Sequence, residues 1–217
     1  MFYQTYIFAI LLTFLAMPHA FSNQENQKTR TCFPGFDSSQ SALDPDYRWF
    51  FNTSNQRKRS ILTKFTKQHG ISWLDNDLQE IKADDISIVV HKASRFHEEG
   101  KRVIVEDSAL YVDGADVGTN VRWLNSKLPQ LVGRKAVWVS LLAYRDGDAV
   151  KVFRAETHGV MTHKKTDIGG IEDYFEPHQD APYKRPNTQS MVNLLLGNIH
   201  ATREPITEWY GEWQNEN

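Results

Sequence analysis

A single cysteine, Cys32, leaves this chain without an intramolecular disulfide, so no disulfide framework supports an oxidising compartment. A basic excess is missing too: 25 Lys and Arg stand against 27 Asp and Glu, a net charge of −2. That balance lacks the electrostatic footprint of a nucleic-acid binder. No G-x-x-x-x-G-K-[ST] phosphate loop, no dinucleotide fingerprint and no legible Ser-His-Asp arrangement is present. His158, His163 and His178 lack metal-ligand spacing and read as loop or edge residues. The apolar run over 6–17 is too short for a comfortable membrane span, which takes ~20 residues.

That run reads instead as the core of a secretory signal peptide over 1–22, with small Ala20 and Ser22 placed for cleavage before Asn23. Its first residues contain no Lys or Arg, so the α-amino group supplies the positive charge. The expected compartment is periplasmic or secreted, and an uncleaved segment would leave the protein cytoplasmic or membrane-anchored. Residues 23–46 are polar, with Pro34, Gly35 and a Ser/Gln cluster, and read as a linker or arm. A single domain is expected over 47–202, followed by a polar tail over 203–217.

Strands and helices alternate through the domain. Residues 47–54 read as an aromatic strand. A helix follows over 55–70, with Asn55 as N-cap and Gly70 as the stop. Residues 71–78 form a second strand. Residues 83–99 form the clearest helix, with Ile86, Val89, Val90, Ala93 and Phe96 at helical spacing. Asp84 and Asp85 lie at its N-terminal end, where the dipole favours them. Two short strands flank Glu106 and Asp107. A helix is expected over 118–131, and "RDGD" marks a hairpin between two β-rich runs. Residues 162–186 read as mostly loop and 187–198 as a last short helix. The fold class is α/β, with a mixed central β-sheet flanked by helices.

Two places carry chemistry. At "NTSNQRKR", Arg57, Lys58 and Arg59 fall in the first helical turn, where the dipole disfavours cations by roughly 0.3–1 kcal/mol each. An anion at the free backbone N–H groups reverses that preference, so the turn is a candidate phosphate site; the alternative is a solvated basic turn. At "RVIVEDSALYVD", Glu106 and Asp107 end one apolar run and precede another. A strand-end carboxylate pair suits Mg²⁺, a hard cation taking oxygen ligands, with Glu80 as a candidate third acid. Neighbours on an extended strand point to opposite faces, so both acids meet one ion only where the strand ends or bulges.

These motifs, over residues 49–196, resemble the inosine triphosphate pyrophosphatase family. Its T-G-N-x-x-K turn is matched by Thr53-Ser54-Asn55-Gln56-Arg57-Lys58, and its V-E-D-[ST]-x-L strand by "VEDSAL". A helix ending in Lys-Ala is matched by Lys92-Ala93, the acid upstream by Glu80, G-x-x-x-[KR]-W by "GTNVRW", and F-R-G-x-T-x-G by "FRAETHG". The resemblance implies an elongated, two-lobed α/β protein with an active-site cleft, usually a homodimer. It implies hydrolysis of a nucleoside triphosphate to the monophosphate and pyrophosphate with Mg²⁺. It places Thr53, Ser54, Asn55 and Lys58 on the phosphates, and Glu80, Glu106 and Asp107 on the metal. Asp107 would also activate the attacking water, with Lys58 as catalytic partner.

The base end departs from the family. Ser54 replaces the turn glycine, and the loop before Gly118 is shortened. Gly169-Gly170-Ile171-Glu172-Asp173 stands where F-G-W-D-P belongs, and Thr188-Gln189-Ser190 where S-H-R belongs. Tyr183, Lys184 and Arg185 are candidates for a rewritten pocket, with Lys184 as substrate ligand. A reading from another class follows: an exported, catalytically diverged nucleotide-binding or host-interaction module on the same fold. Nucleotide binding with Mg²⁺ but no turnover identifies that case. A third reading keeps the acids and takes an unrelated phosphate substrate.

Overall fold

The computed structural model describes residues 43–165, 171–179 and 201–206. The chain divides into Met1–Cys32 and Phe33–Asn217, and every described residue belongs to the second unit. Strand β1 (Arg48–Asn52) leads into helix α1 (Gln56–Gln68) and strand β2 (Ser72–Leu74). Helix α2 (Asp85–Ser94) precedes the long strand β3 (Lys101–Val112) and the short β4 (Ala115–Gly118). Strands β5 (Lys135–Asp146) and β6 (Ala149–Met161) form the hairpin, and β7 (Phe175–Pro177) and β8 (Ala201–Pro205) follow. Among the described residues no helix is long and apolar enough to cross a membrane.

The sheet runs β2-β1-β3-β5-β6-β7, with β4 added to β3 and β8 to β6. Strand β1 is parallel to both β2 and β3, and the other pairings are antiparallel, which gives the mixed sheet of the α/β class. Strand β3 changes partner along its length. Residues Lys101 to Ile104 pair with β1, and Val105 to Val112 pair one-for-one with β5.

Alternation along β3 sorts the core. Ile104 joins Phe51, Leu62 of α1, Leu142 and Phe153 on one face. Val105 joins Val89, Val90 and Ala93 of α2, with Val139 and Leu141, on the other. The even-numbered face carries a further cluster with Leu110, Val112, Trp138 and Phe175. Between the two clusters on that face the strands turn polar: Glu106 and Ser108 on β3, and Ser140 beside Ser108 on β5. Ser140 is buried and accepts from Trp138 Nε1 at 3.1 Å.

Several sequence expectations change. The two short strands around the acids are one continuous β3, because β5 matches it residue for residue and the acids turn to opposite faces without ending it. The second strand shrinks to Ser72–Leu74. Helix α2 stops at Ser94, whose Oγ donates back to His91 O at 2.7 Å, five residues before the expected end. The helix expected over 118–131 is two 3₁₀ segments, Thr119–Arg122 and Asn125–Leu131. Pro129 lies inside the second and has no N–H for an α-helical bond. Val121 and Leu128 are buried all the same. Within the region 162–186, expected to be mostly loop, the described residues also include a 3₁₀ turn (Ile171–Tyr174) and β7. The sheet also continues past residue 202 in β8, and Leu43, ahead of residue 47, is already part of the core. The helix expected over 187–198 lies outside the described residues.

Candidate active site

Strand β1 ends at Asn52, and α1 begins four residues later. The intervening turn is held from both sides. Thr53 N–H donates to Leu74 O at 3.2 Å, and Thr53 Oγ1 accepts the Asn55 N–H at 3.2 Å. Asn55 is the N-cap, as its position suggested: its Oδ1 accepts from Arg57 N at 3.0 Å and Lys58 N at 3.2 Å. Two of the N–H groups proposed for an anion are thus already satisfied by Asn55. The first-turn cations have their own acceptors. Arg59 Nε donates to Thr53 O at 2.9 Å and its guanidinium meets Asp75 at 3.1 Å, while Lys58 reaches across to pair with Glu106. Arg59 therefore fastens the turn, and Lys58 faces Glu106.

On the opposite face Lys92 Nζ lies 3.0 Å from Asp107 Oδ2 and 3.2 Å from Glu80 Oε1. Its side chain is 11% exposed, against 26% for Glu80 and 25% for Asp107. Burial pulls the Lys92 pKa down, but Asp107 and Glu80, with Glu106 adding to them, outweigh it and raise it. The loop carrying Glu80 is pinned at several points. Asn52 and Asn76 exchange two hydrogen bonds, Ile81 is fully buried, and Thr119 Oγ1 donates to Ala83 O at 2.9 Å.

The sequence-derived site residues thus fall into two groups. Lys58 holds Glu106 on the α1 face, while Lys92 gathers Glu80 and Asp107 on the α2 face. Glu80, Glu106 and Asp107 do not form one three-acid cluster, and among the described residues no group of three or more His, Cys, Asp or Glu is placed to hold a metal ion. The cause is the unbroken strand, which sends consecutive side chains to opposite faces. The two groups are joined by the edge of β3. Strand β1 pairs only as far as Ile104, and β4 first meets β3 at Leu110. Among the described residues the intervening stretch pairs only with β5. Asp107 Oδ1 accepts the Ser108 N–H at 2.7 Å, which lays its carboxylate along this bare edge. That edge lies past the carboxyl end of β1 and between the two faces. Open α/β sheets bind ligands at such places.

Lys184 lies outside the described residues, as do 166–170 and 180–200. Ser54 is exposed on the turn, and Thr53 is buried. Lys92 is the residue whose importance the sequence reading missed, having taken it only as a motif match. Its signal was present: it continues the stripe formed by Asp85, Ile88 and Val89, where a lysine needs a partner. A separate concavity of about 670 Å³, lined by Leu43, Asp44, Tyr47 and Trp49 among others, contains none of these site residues.

Glu80 and Asp107 suit a hard divalent cation. Both are carboxylates, both are partly exposed, and both already converge on one positive charge. The fold and this site define a class: a mixed-sheet α/β protein with ammonium–carboxylate groups on both flanks of a strand edge left unpaired among the described residues. Comparison then supplies the family. The Ham1 family model matches residues 49–185, and the chain belongs to the Ham1 family, the inosine triphosphate pyrophosphatase-like group that its motifs resemble. Among solved structures it is similar to the Staphylococcus aureus Ham1 protein, at 16% identity over 70% of this chain and 93% of that one, with a TM-score of 0.45. No curated protein matches the sequence.

Proposed function

We propose that the protein is a Mg²⁺-dependent nucleoside triphosphate pyrophosphatase, releasing the monophosphate and pyrophosphate. The observation that carries this reading is the pairing of Lys58 with Glu106, and of Lys92 with Glu80 and Asp107, around one bare strand edge. Lys58 and the exposed Ser54 hydroxyl orient the oligophosphate, while buried Thr53 holds the turn beneath them. Asn55 keeps the turn in shape through its cap. Glu80 and Asp107 supply oxygen ligands for Mg²⁺. When bound there, the ion withdraws charge from the phosphoryl oxygens. Lys92 holds the two carboxylates in register, and Asp107 orients a water and takes its proton as the water oxygen attacks phosphorus. The α–β phosphoanhydride bond breaks, and pyrophosphate leaves with its negative charge facing Lys58.

Base preference is open to a wide range of nucleotides in this reading, because Gly169 to Asp173 replaces the family's aromatic base-reading segment. A screen of canonical and deaminated triphosphates, with and without Mg²⁺, measures pyrophosphate release. Asp107→Asn should abolish the Mg²⁺-dependent release. Equal release by that variant removes the assignment. Export after removal of 1–22 and a homodimer belong to the same proposal. Mature protein beginning at Asn23 and a dimeric mass by light scattering are the results they require.

A further inference from the structure

The two groups set three carboxylates against two ammonium ions, and each of these five charges already has a partner within the chain. The partners differ in burial. Glu106 is 10% exposed and Lys58 31%. Lys58 is thus the member that solvent and ligand reach, and Glu106 the member that depends on it. If Lys58 turns to a phosphate, a largely buried carboxylate is left without its direct counter-charge, which costs more than breaking a surface pair. Lys92 attracts Glu106 through space but spends its direct contacts on Asp107 and Glu80, so in its present place it lessens that loss without replacing the pair.

We propose that Glu106 is a counter-ion gate on Lys58. Oligophosphate and divalent cation bind by exchanging partners with these ion pairs, so each strengthens the binding of the other. An oligophosphate alone must compete with Glu106 for Lys58. A divalent cation alone must compete with Lys92 for Glu80 and Asp107. Bound together, the anion takes the released ammonium groups and the cation compensates the released carboxylates. The coupling is reciprocal by linkage. It keeps the empty site nearly charge-balanced and makes metal-free phosphate a poor ligand. The inference rests on the phosphoanhydride reading of this site and describes how that site is controlled.

The test is calorimetric titration of the full-length chain with inorganic pyrophosphate, without and with Mg²⁺, for wild type and Glu106→Gln. Pyrophosphate complexes Mg²⁺ in solution, so the Mg²⁺ increment is compared between the two proteins under identical buffers. Glu106→Gln should bind metal-free pyrophosphate about tenfold more tightly than wild type, and should lose most of the Mg²⁺ enhancement. Metal-free affinity equal to or weaker than wild type overturns the gate. Lys58→Met supplies a second measurement that needs no phosphate. It leaves Glu106 uncompensated, so Mg²⁺ alone should bind more tightly than to wild type, and unchanged Mg²⁺ affinity also overturns the proposal. If wild type binds pyrophosphate under neither condition, the oligophosphate reading fails and the gate with it. If wild type binds with Mg²⁺ while the variants match it, the gate alone fails.

Discussion

Lys92 shows how a charge earns a place on a buried stripe. Its ammonium bridges Asp107 and Glu80, and the helix behind it packs Val89 and Ala93 into the sheet. Replacement by Met keeps the packing volume but leaves two neighbouring carboxylates facing each other. With each acid about a quarter exposed, solvent screens part of the loss, so Lys92→Met should lose roughly 1–3 kcal/mol in denaturant unfolding. It should also lose pyrophosphate release, because Asp107 is no longer held. Lys92→Arg should recover more of the stability than of the activity, since a planar fork does not reproduce a point charge. The pH dependence has a definite sign. The folded Lys92 pKa lies above the ordinary lysine value of 10.5, so its contribution is complete below that pH and is lost as pH rises through the folded value. Tyr144 adds a slope of the same sign, as burial and the Asp146 carboxylate push its pKa up to about 12. The Tyr144 slope is common to wild type and Lys92→Met and cancels in their difference. The difference in stability between the two proteins should therefore shrink above pH 10.5. A gap that stays constant into strong alkali refutes this role for Lys92.

At the scale of elements, α1 was readable because its start depends on local chemistry. Asn55 is followed by an N-terminal turn that its own side chain caps, and Asn55→Ala should cost about 1 kcal/mol and lower the melting temperature. Strand β3 was misread because its continuity depends on partners distant in sequence. An apolar–acid–apolar pattern looks like two strands until β5 is known to pair straight across the acids, and until Lys58 and Lys92 are known to meet them. The candidate site was legible in the same partial way. Residue types at Lys58, Glu80, Glu106 and Asp107 were legible, but their partition between two faces required the register of β3. The segment over 118–131 kept the expected burial at Val121 and Leu128 while losing the expected helix, since Pro129 limits backbone bonding and not side-chain packing. Gly159 shows another constraint beyond sequence reach. A Cβ built there would lie 2.2 Å from Glu176 O, a backbone atom of β7 that cannot swing aside. Gly159→Ala should therefore displace β7 and cost roughly 1–3 kcal/mol, with hydrogen exchange rising first in the segment containing Phe175. Unchanged exchange in that segment contradicts the close approach.

For the molecule as a whole, β3 is the strand shared by the parallel β1–β2 part and the antiparallel part from β5 onward. Sequence alternation announced a mixed sheet, yet not that one strand would serve both parts, because the change of partner occurs between Ile104 and Val105 without any turn. The arrangement has a thermodynamic consequence. Ile104 is fully buried against α1 and pairs with Phe51 of β1, and Leu142 and Phe153 from β5 and β6 enter the same cluster. A loss at Ile104 is thus transmitted to both parts instead of remaining local. Ile104→Ala removes three carbons and should cost roughly 2–5 kcal/mol, according to how far the site collapses. If the sheet unfolds as one unit, β1 and β6 lose protection against hydrogen exchange by the same factor, and calorimetry of the variant shows one transition at a lower temperature. If β6 keeps wild-type protection while β1 loses it, the two parts unfold separately. The strand that aligns the acids would then not be what binds the sheet into a single cooperative structure.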